Sequence, residues 1–132
     1  MAFDPKIKIL IVDDMNTMRK IIKGMLQKMG CDNITEANDG IPGWQAIQDA
    51  QKEGKPFQFI ISDWNMPGMT GIDLLKNFRS KEEFKQTPFL MVTAEAEQAN
   101  IVVAVKAGVS NYIIKPFNPE TFKAKIDKVF AK

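Results

Sequence analysis

The chain has no histidine and only one cysteine, Cys31, and these two shortages remove much of the catalytic repertoire at once. No imidazole-based triad, zinc cluster or intramolecular disulfide can be built from it. No apolar run approaches the ~20 residues that span a bilayer. The segment Met1-Ala2-Phe3-Asp4-Pro5-Lys6 shows neither an apolar h-region nor a small-residue cleavage site, so a cytoplasmic protein without membrane insertion is expected. Charge of either sign is also scarce in net terms, at +2, with lysines spread over predicted helix faces rather than gathered in a stripe. That pattern gives no argument for nucleic-acid binding. What remains for chemistry is oxygen: carboxylates, hydroxyls and main-chain carbonyls.

The 132 residues suit a single domain, and 45% hydrophobic with 26% charged content is ordinary for a globular chain. Short apolar runs alternate with amphipathic stretches throughout, the mark of repeated βαβ units. Strands are expected at Ile9–Val12, at Asn33–Ala37 as a weaker edge strand, at Phe59–Ser62, at Phe89–Val92 and at Tyr112–Ile114. Met18, Ile21, Ile22, Met25, Leu26 and Met29 fall at offsets of three and four, predicting one buried face of a helix that Gly30 ends. The methionines read as core, since Met at helical spacing fills gaps.

A second helix is expected from Pro42 to about Lys52, with Trp44 packed inward, and a third on Ile72, Leu75 and Phe78, ending near Arg79. Lys81 to Pro88 reads as a charged loop. A fourth helix is placed between about Ala96 and Ala107, stopped by Gly108. Asn118 then caps a fifth that starts at Pro119, with Phe122, Ile126, Val129 and Phe130 as its buried stripe. Five strands and five helices account for the chain.

In an open α/β sheet, ligands bind outside the carboxyl ends of the strands. Asp13 and Asp14 end the first strand, Asp63 the third, Thr93 the fourth and Lys115 the fifth, so all five would share one crevice. Taken singly, Asp13 or Asp14 reads equally well as the cap of the following helix. Thr93 reads as a β-favouring residue, Lys115 as a solvated lysine and Tyr112 as a half-buried packing aromatic. Jointly they read differently, because clustered acids repel unless a cation holds them. Mg²⁺ is commonly held by one or two carboxylates plus phosphate oxygens, and Asp14 and Asp63 are the candidate direct ligands, with Asp13 acting through water. A carboxylate is ionised at neutral pH and attacks phosphorus without a general base, which makes Asp63 the candidate nucleophile in a chain without histidine. Lys115 and the Thr93 hydroxyl would offset the charge of the acyl phosphate. A cis bond at Lys115-Pro116 would aim the lysine back across the strand ends. Gly68 and Gly71 are expected to supply unusual backbone angles in the turn past the nucleophile.

At Ile11-Val12-Asp13-Asp14, Ser62-Asp63-Trp64-Asn65-Met66-Pro67-Gly68-Met69, Met91-Val92-Thr93-Ala94-Glu95-Ala96 and Tyr112-Ile113-Ile114-Lys115-Pro116-Phe117, the sequence resembles the receiver domains of two-component response regulators, in particular the stand-alone chemotaxis members. The resemblance covers essentially the whole chain. It implies a flavodoxin-like, doubly wound five-stranded parallel sheet in the order 2-1-3-4-5, one receiver domain over residues 1–132 and no separate output domain. It further implies phosphorylation of Asp63 by a histidine kinase of the CheA type, with Mg²⁺ held by Asp13, Asp14, Asp63 and the Asn65 main-chain carbonyl. Thr93, Tyr112 and Lys115 match the family's switch residues, while Asn65 and Glu95 flank the approach of the water that removes the phosphate. The implied protein is a monomeric phospho-accepting switch rather than an enzyme. Its face of helix four, strand five and helix five binds the flagellar motor switch, and a phosphatase is a further partner.

The chain departs from the family pattern at Met15-Asn16, where an aromatic and a serine are usual, in a longer Gln45–Phe59 stretch, and at Glu97-Gln98, where lysines are frequent. None of these supplies a ligand or the nucleophile. Other readings are an intermediate in a phosphorelay, a haloacid-dehalogenase-like phosphatase and a flavin carrier. The phosphatase class needs an acid two residues after its nucleophile, and Asn65 stands there. A flavin phosphate would be repelled by Asp13-Asp14.

Overall fold

The computed structural model describes residues 3–94 and 98–131. Its elements run β1 (Ile9–Val12), α1 (Asn16–Lys28), β2 (Ile34–Ala37), α2 (Gly40–Lys52), β3 (Phe59–Asp63), α3 (Gly71–Arg79), a 3-10 turn (Glu82–Phe84), β4 (Phe89–Thr93), α4 (Gln98–Lys106), β5 (Asn111–Ile114) and α5 (Pro119–Phe130). All strand pairings are parallel, in the order β2-β1-β3-β4-β5, as expected for a flavodoxin-like fold. β1, β3 and β4 are buried along their whole length, which explains their unbroken apolar runs: a sheet covered on both faces has no polar side to alternate with.

Two cores follow from the pleat. One face carries Leu10, Val12, Ile60, Phe89 and Met91 against α2 and α3; the other carries Ile9, Ile11, Phe59, Ile61, Leu90 and Val92 against α1 and α5. Ile22 and Leu26 of α1 and Phe122 and Ile126 of α5 are buried as their spacing predicts, with Met18, Met25 and Met29 packed at the margin. Ile21 differs: it lies at the outer edge of the stripe and is 44% exposed. Trp44 is half-buried against the core, edge-on to Phe84 at 6.3 Å.

The segment after α3 is more than a charged loop. Its 3-10 turn buries Phe84, which stacks on Phe78 with ring centroids 4.6 Å apart. Among the described residues, side chains cap three helices: Asp39 at α2, Thr70 at α3 and Asn118 at α5, the last followed by Pro119. No helix among the described residues is long and apolar enough to cross a membrane.

Candidate functional site

Register brings the site together. Val12 pairs with Ser62, Asp63 with Val92 and Thr93 with Ile114, so the chain leaves β1, β3, β4 and β5 at one edge of the sheet. One carboxylate oxygen each from Asp13, Asp14 and Asp63 lies within 4.8 Å of the others. Asp13 is fully buried, Asp63 is 5% exposed and Asp14 is exposed. The Lys115 ammonium reaches into the same point, 3.1 Å from Asp63 Oδ1 and 3.8 Å from Asp13 Oδ2. The Lys115-Pro116 bond is cis.

The two buried acids are held from the main chain. The Met15 N–H donates to Asp13 Oδ1 at 2.9 Å, and the Trp64 N–H donates to Asp63 Oδ1 at 2.9 Å. Burial raises the pKa of both above the ordinary carboxylate range. For Asp13 the Met15 hydrogen bond works against burial and the nearby Asp63 adds to it; for Asp63 the chief opposing influence is Lys115. Asp13 Oδ2 is buried and accepts no hydrogen bond. A buried carboxylate oxygen in that condition, beside two further acids, is what a hard cation would satisfy, and an all-oxygen donor set fits Mg²⁺ rather than a softer metal. Neither Asp13 nor Asp14 caps α1, whose N-cap position is Met15 with no side-chain hydrogen bond.

Thr93 is buried at the end of β4 and Tyr112 is half-buried on β5, with the Lys125 ammonium 4.8 Å above its ring. Between Trp64, Thr93, Ala104 and Tyr112 lies a cavity of about 10 Å³. Asn65 is exposed, two residues beyond Asp63. Glu95 lies outside the described residues. Gly68 does take a positive φ, 71°, as expected. Gly71 is needed for a different reason than the one expected: it starts α3 pressed against the Asp63 carbonyl, where a Cβ would collide with the main-chain oxygen.

Sequence reasoning passed over two contributors, the Trp64 N–H on the candidate nucleophile and the Arg19 guanidinium, which donates to the Asp13 carbonyl at 2.7 Å. The first carries no side-chain signal. The second resembles any other cation on a helix surface.

Comparison with known proteins agrees with this geometry. The family model described as response regulator receiver domain matches residues 9–127. Chemotaxis protein CheY-3 of Vibrio cholerae serotype O1 is 51% identical over 125 residues, covering 95% of this chain and 92% of that protein. Chemotaxis protein CheY of Pseudomonas aeruginosa is 48% identical over 125 residues, covering 95% and 97%. The solved structure of Vibrio cholerae CheY4 superposes with a TM-score of 0.82 at 36% identity, covering 95% of this chain and 99% of that one. The chain therefore belongs to the response regulator receiver domains and, within them, is CheY-like.

Proposed function

We propose that this receiver domain accepts a phosphoryl group on Asp63 from a histidine kinase of the CheA type and thereby switches a partner-binding face in chemotaxis signalling. The observation that carries the reading is the convergence of three carboxylates within 4.8 Å, with a lysine 3.1 Å from one of them. Both the Lys115 ammonium and the Trp64 N–H engage Asp63 Oδ1, which leaves Oδ2 to attack phosphorus. The new O–P bond forms as the P–N bond to the donor imidazole breaks. Mg²⁺ bound by Asp13, Asp14, Asp63 and the Asn65 carbonyl would supply charge neutralisation at the phosphoryl oxygens. Lys115 adds a second positive charge, and the Thr93 hydroxyl would donate to a phosphoryl oxygen.

The same step biases the switch. Drawing Thr93 toward Asp63 enlarges the small cavity beside Tyr112, which at about 10 Å³ holds no more than one water and cannot take the ring unless Thr93 withdraws. The ring's movement re-shapes the α4–β5–α5 face, a population shift between two packings. That face exposes Val102, Val103 and Val105, apolar surface suited to a protein partner, for which we propose the flagellar motor switch. Asn65 and Glu95 tune loss of the phosphate. A phosphorelay intermediate would share this whole site and differ only in its partners.

Trp64 reports on the site through its hydrogen bond to Asp63. Mg²⁺ and then acetyl phosphate are expected to change its fluorescence, and Asp63→Asn to abolish the phosphodonor response while the fold is retained. An undiminished response in that variant removes Asp63 as acceptor. Retention of flagellar switch components by the phosphorylated protein, and not by Asp63→Asn, tests the partner. Retention of neither favours the relay.

A further inference from the structure

The β1–α1 turn carries two of the three acids, and its shape is set by one side chain that belongs to neither strand nor pocket. Past Val12 the β1–β2 ladder runs out, with the Asp13 N–H making its last bond to the Ala37 carbonyl at 3.1 Å. The Asp13 carbonyl, in a fully buried residue, needs a partner that the sheet does not supply. Arg19 supplies it. One guanidinium nitrogen donates to that carbonyl at 2.7 Å, a second to Asn16 Oδ1 at 3.0 Å, and Nε to Glu36 Oε1 at 3.2 Å. The side chain is only 15% exposed, and Glu36 is itself drawn to Lys23 at 3.5 Å. A planar fork that satisfies three acceptors together, one just past β1, one at the start of α1 and one on β2, is something arginine does and lysine does not.

We infer that Arg19 is a positioning residue for the cation pocket: it clamps the Asp13–Met15 turn so that the Asp13 and Asp14 carboxylates converge on Asp63. The inference rests on the metal-binding part of the function proposed above. On one side the turn is fixed by the Met15 N–H on Asp13 Oδ1, a local bond that survives small rotations of the whole turn. Main-chain bonds from the Asp13 N–H to the Ala37 carbonyl and from the Arg19 N–H to the Met15 carbonyl hold the two ends of the turn, and the Arg19 side chain is what joins β2, the Asp13 carbonyl and Asn16 through one rigid group, and so sets the direction in which the exposed Asp14 projects. Its bond is to the Asp13 main-chain carbonyl and not to a carboxylate of the cluster, which leaves the acids to a cation.

The test is Mg²⁺ titration of the full chain, followed by calorimetry and by Trp64 fluorescence, for wild type, Arg19→Lys and Arg19→Ala, with thermal melts in EDTA to establish that each variant is folded at the titration temperature. Arg19→Ala is expected to bind Mg²⁺ about 10–100-fold more weakly, the usual consequence of losing a group that orients metal ligands. Arg19→Lys keeps the charge and loses the fork, so its affinity is expected to fall clearly below wild type, and it serves alone if Arg19→Ala does not fold. Wild-type affinity in Arg19→Lys overturns the positioning role, since charge alone would then suffice. Lower melting temperatures with unchanged Mg²⁺ affinity overturn it too, by reducing Arg19 to a structural role. A wild-type protein that binds no Mg²⁺ overturns the metal reading and this inference together, whereas a binding wild type with unaffected variants overturns only the inference.

Discussion

Replacing Asp13 by asparagine is expected to stabilise the metal-free protein at neutral pH, although changes at fully buried positions usually destabilise. At an effective dielectric of about 20, the attraction to Lys115 at 3.8 Å is about 4 kcal/mol. The repulsion from Asp63, no farther away than the 4.8 Å limit of the cluster, is at least about 3.5 kcal/mol. These terms nearly cancel, so the deciding one is desolvation of a carboxylate whose Oδ2 accepts no hydrogen bond. Leaving such a group unsatisfied costs about 2 kcal/mol. Asparagine keeps the acceptor for the Met15 N–H, removes the charge, and puts at the place of Oδ2 an amide NH2 for which the neighbouring Asp14 and Asp63 carboxylates are acceptors. With an unfolding entropy of about 2.1 cal/mol/K per residue, that gain raises the melting temperature by about 7 °C. The pH dependence has a definite sign. Because the folded-state pKa of Asp13 lies above 3.8, its ionisation opposes folding fully above that raised value, and the penalty fades as pH falls through it toward 3.8. The advantage of Asp13→Asn over wild type is therefore largest at neutral pH and shrinks on acidification. Mg²⁺ at a hundredfold excess over its dissociation constant should stabilise wild type by about 2.7 kcal/mol, and the variant by less. Circular-dichroism melts in EDTA and in Mg²⁺ across the acidic range check all three statements. A variant that melts no higher than wild type in EDTA at neutral pH, or an advantage that does not shrink with acid, would refute the reasoning.

Two further substitutions separate the site from its scaffold. Gly71→Ala places a methyl group against the Asp63 carbonyl and is expected to cost about 3 kcal/mol, the upper end for overpacking, in urea denaturation. It should also blunt the acetyl phosphate response of Trp64, because relief of the clash moves α3 or the nucleophile. Gly24→Ala, in the middle of α1 with nothing within 4 Å of the added Cβ, should stabilise by about 0.5–1 kcal/mol and leave Mg²⁺ affinity unchanged.

The strands were legible because β1, β3 and β4 are apolar on both sides, and the positions of Asp13, Asp14, Asp63, Thr93 and Lys115 at strand ends then followed from chain direction alone. The strand order was legible only through resemblance, since nothing in a run such as Phe89–Thr93 says which neighbour it takes. What local pattern could not show were contacts made by single residues across distant elements. Phe84 sits alone among charged residues with no periodicity to mark it, yet it fills the space beside Phe78. Ile21 and Ile22 are equivalent in hydropathy, and only the angle at which α1 meets the sheet decides that Ile22 is covered. Arg19 reaches Glu36 across seventeen positions of sequence, so its role depends on β2 lying at the sheet edge beside β1.

The local rules that this chain breaks are broken around one pocket. Asp39, Thr70 and Asn118 cap α2, α3 and α5, whereas α1, which starts beside the acids, has Met15 at its N-cap position and Met15 is 55% exposed. A capping serine, threonine or aspartate there would be worth about 1 kcal/mol. Asp13 is close enough in sequence to bond the start of the helix, but its Oδ1 takes only the Met15 N–H and its Oδ2 stays turned toward Lys115, without a hydrogen bond. A sequence selected for stability alone would use that carboxylate as a cap or replace it with an apolar residue. One selected to gather a cation and a phosphoryl group at the strand ends keeps it ionisable, buried and short of partners, and holds its main chain in place with Arg19 instead.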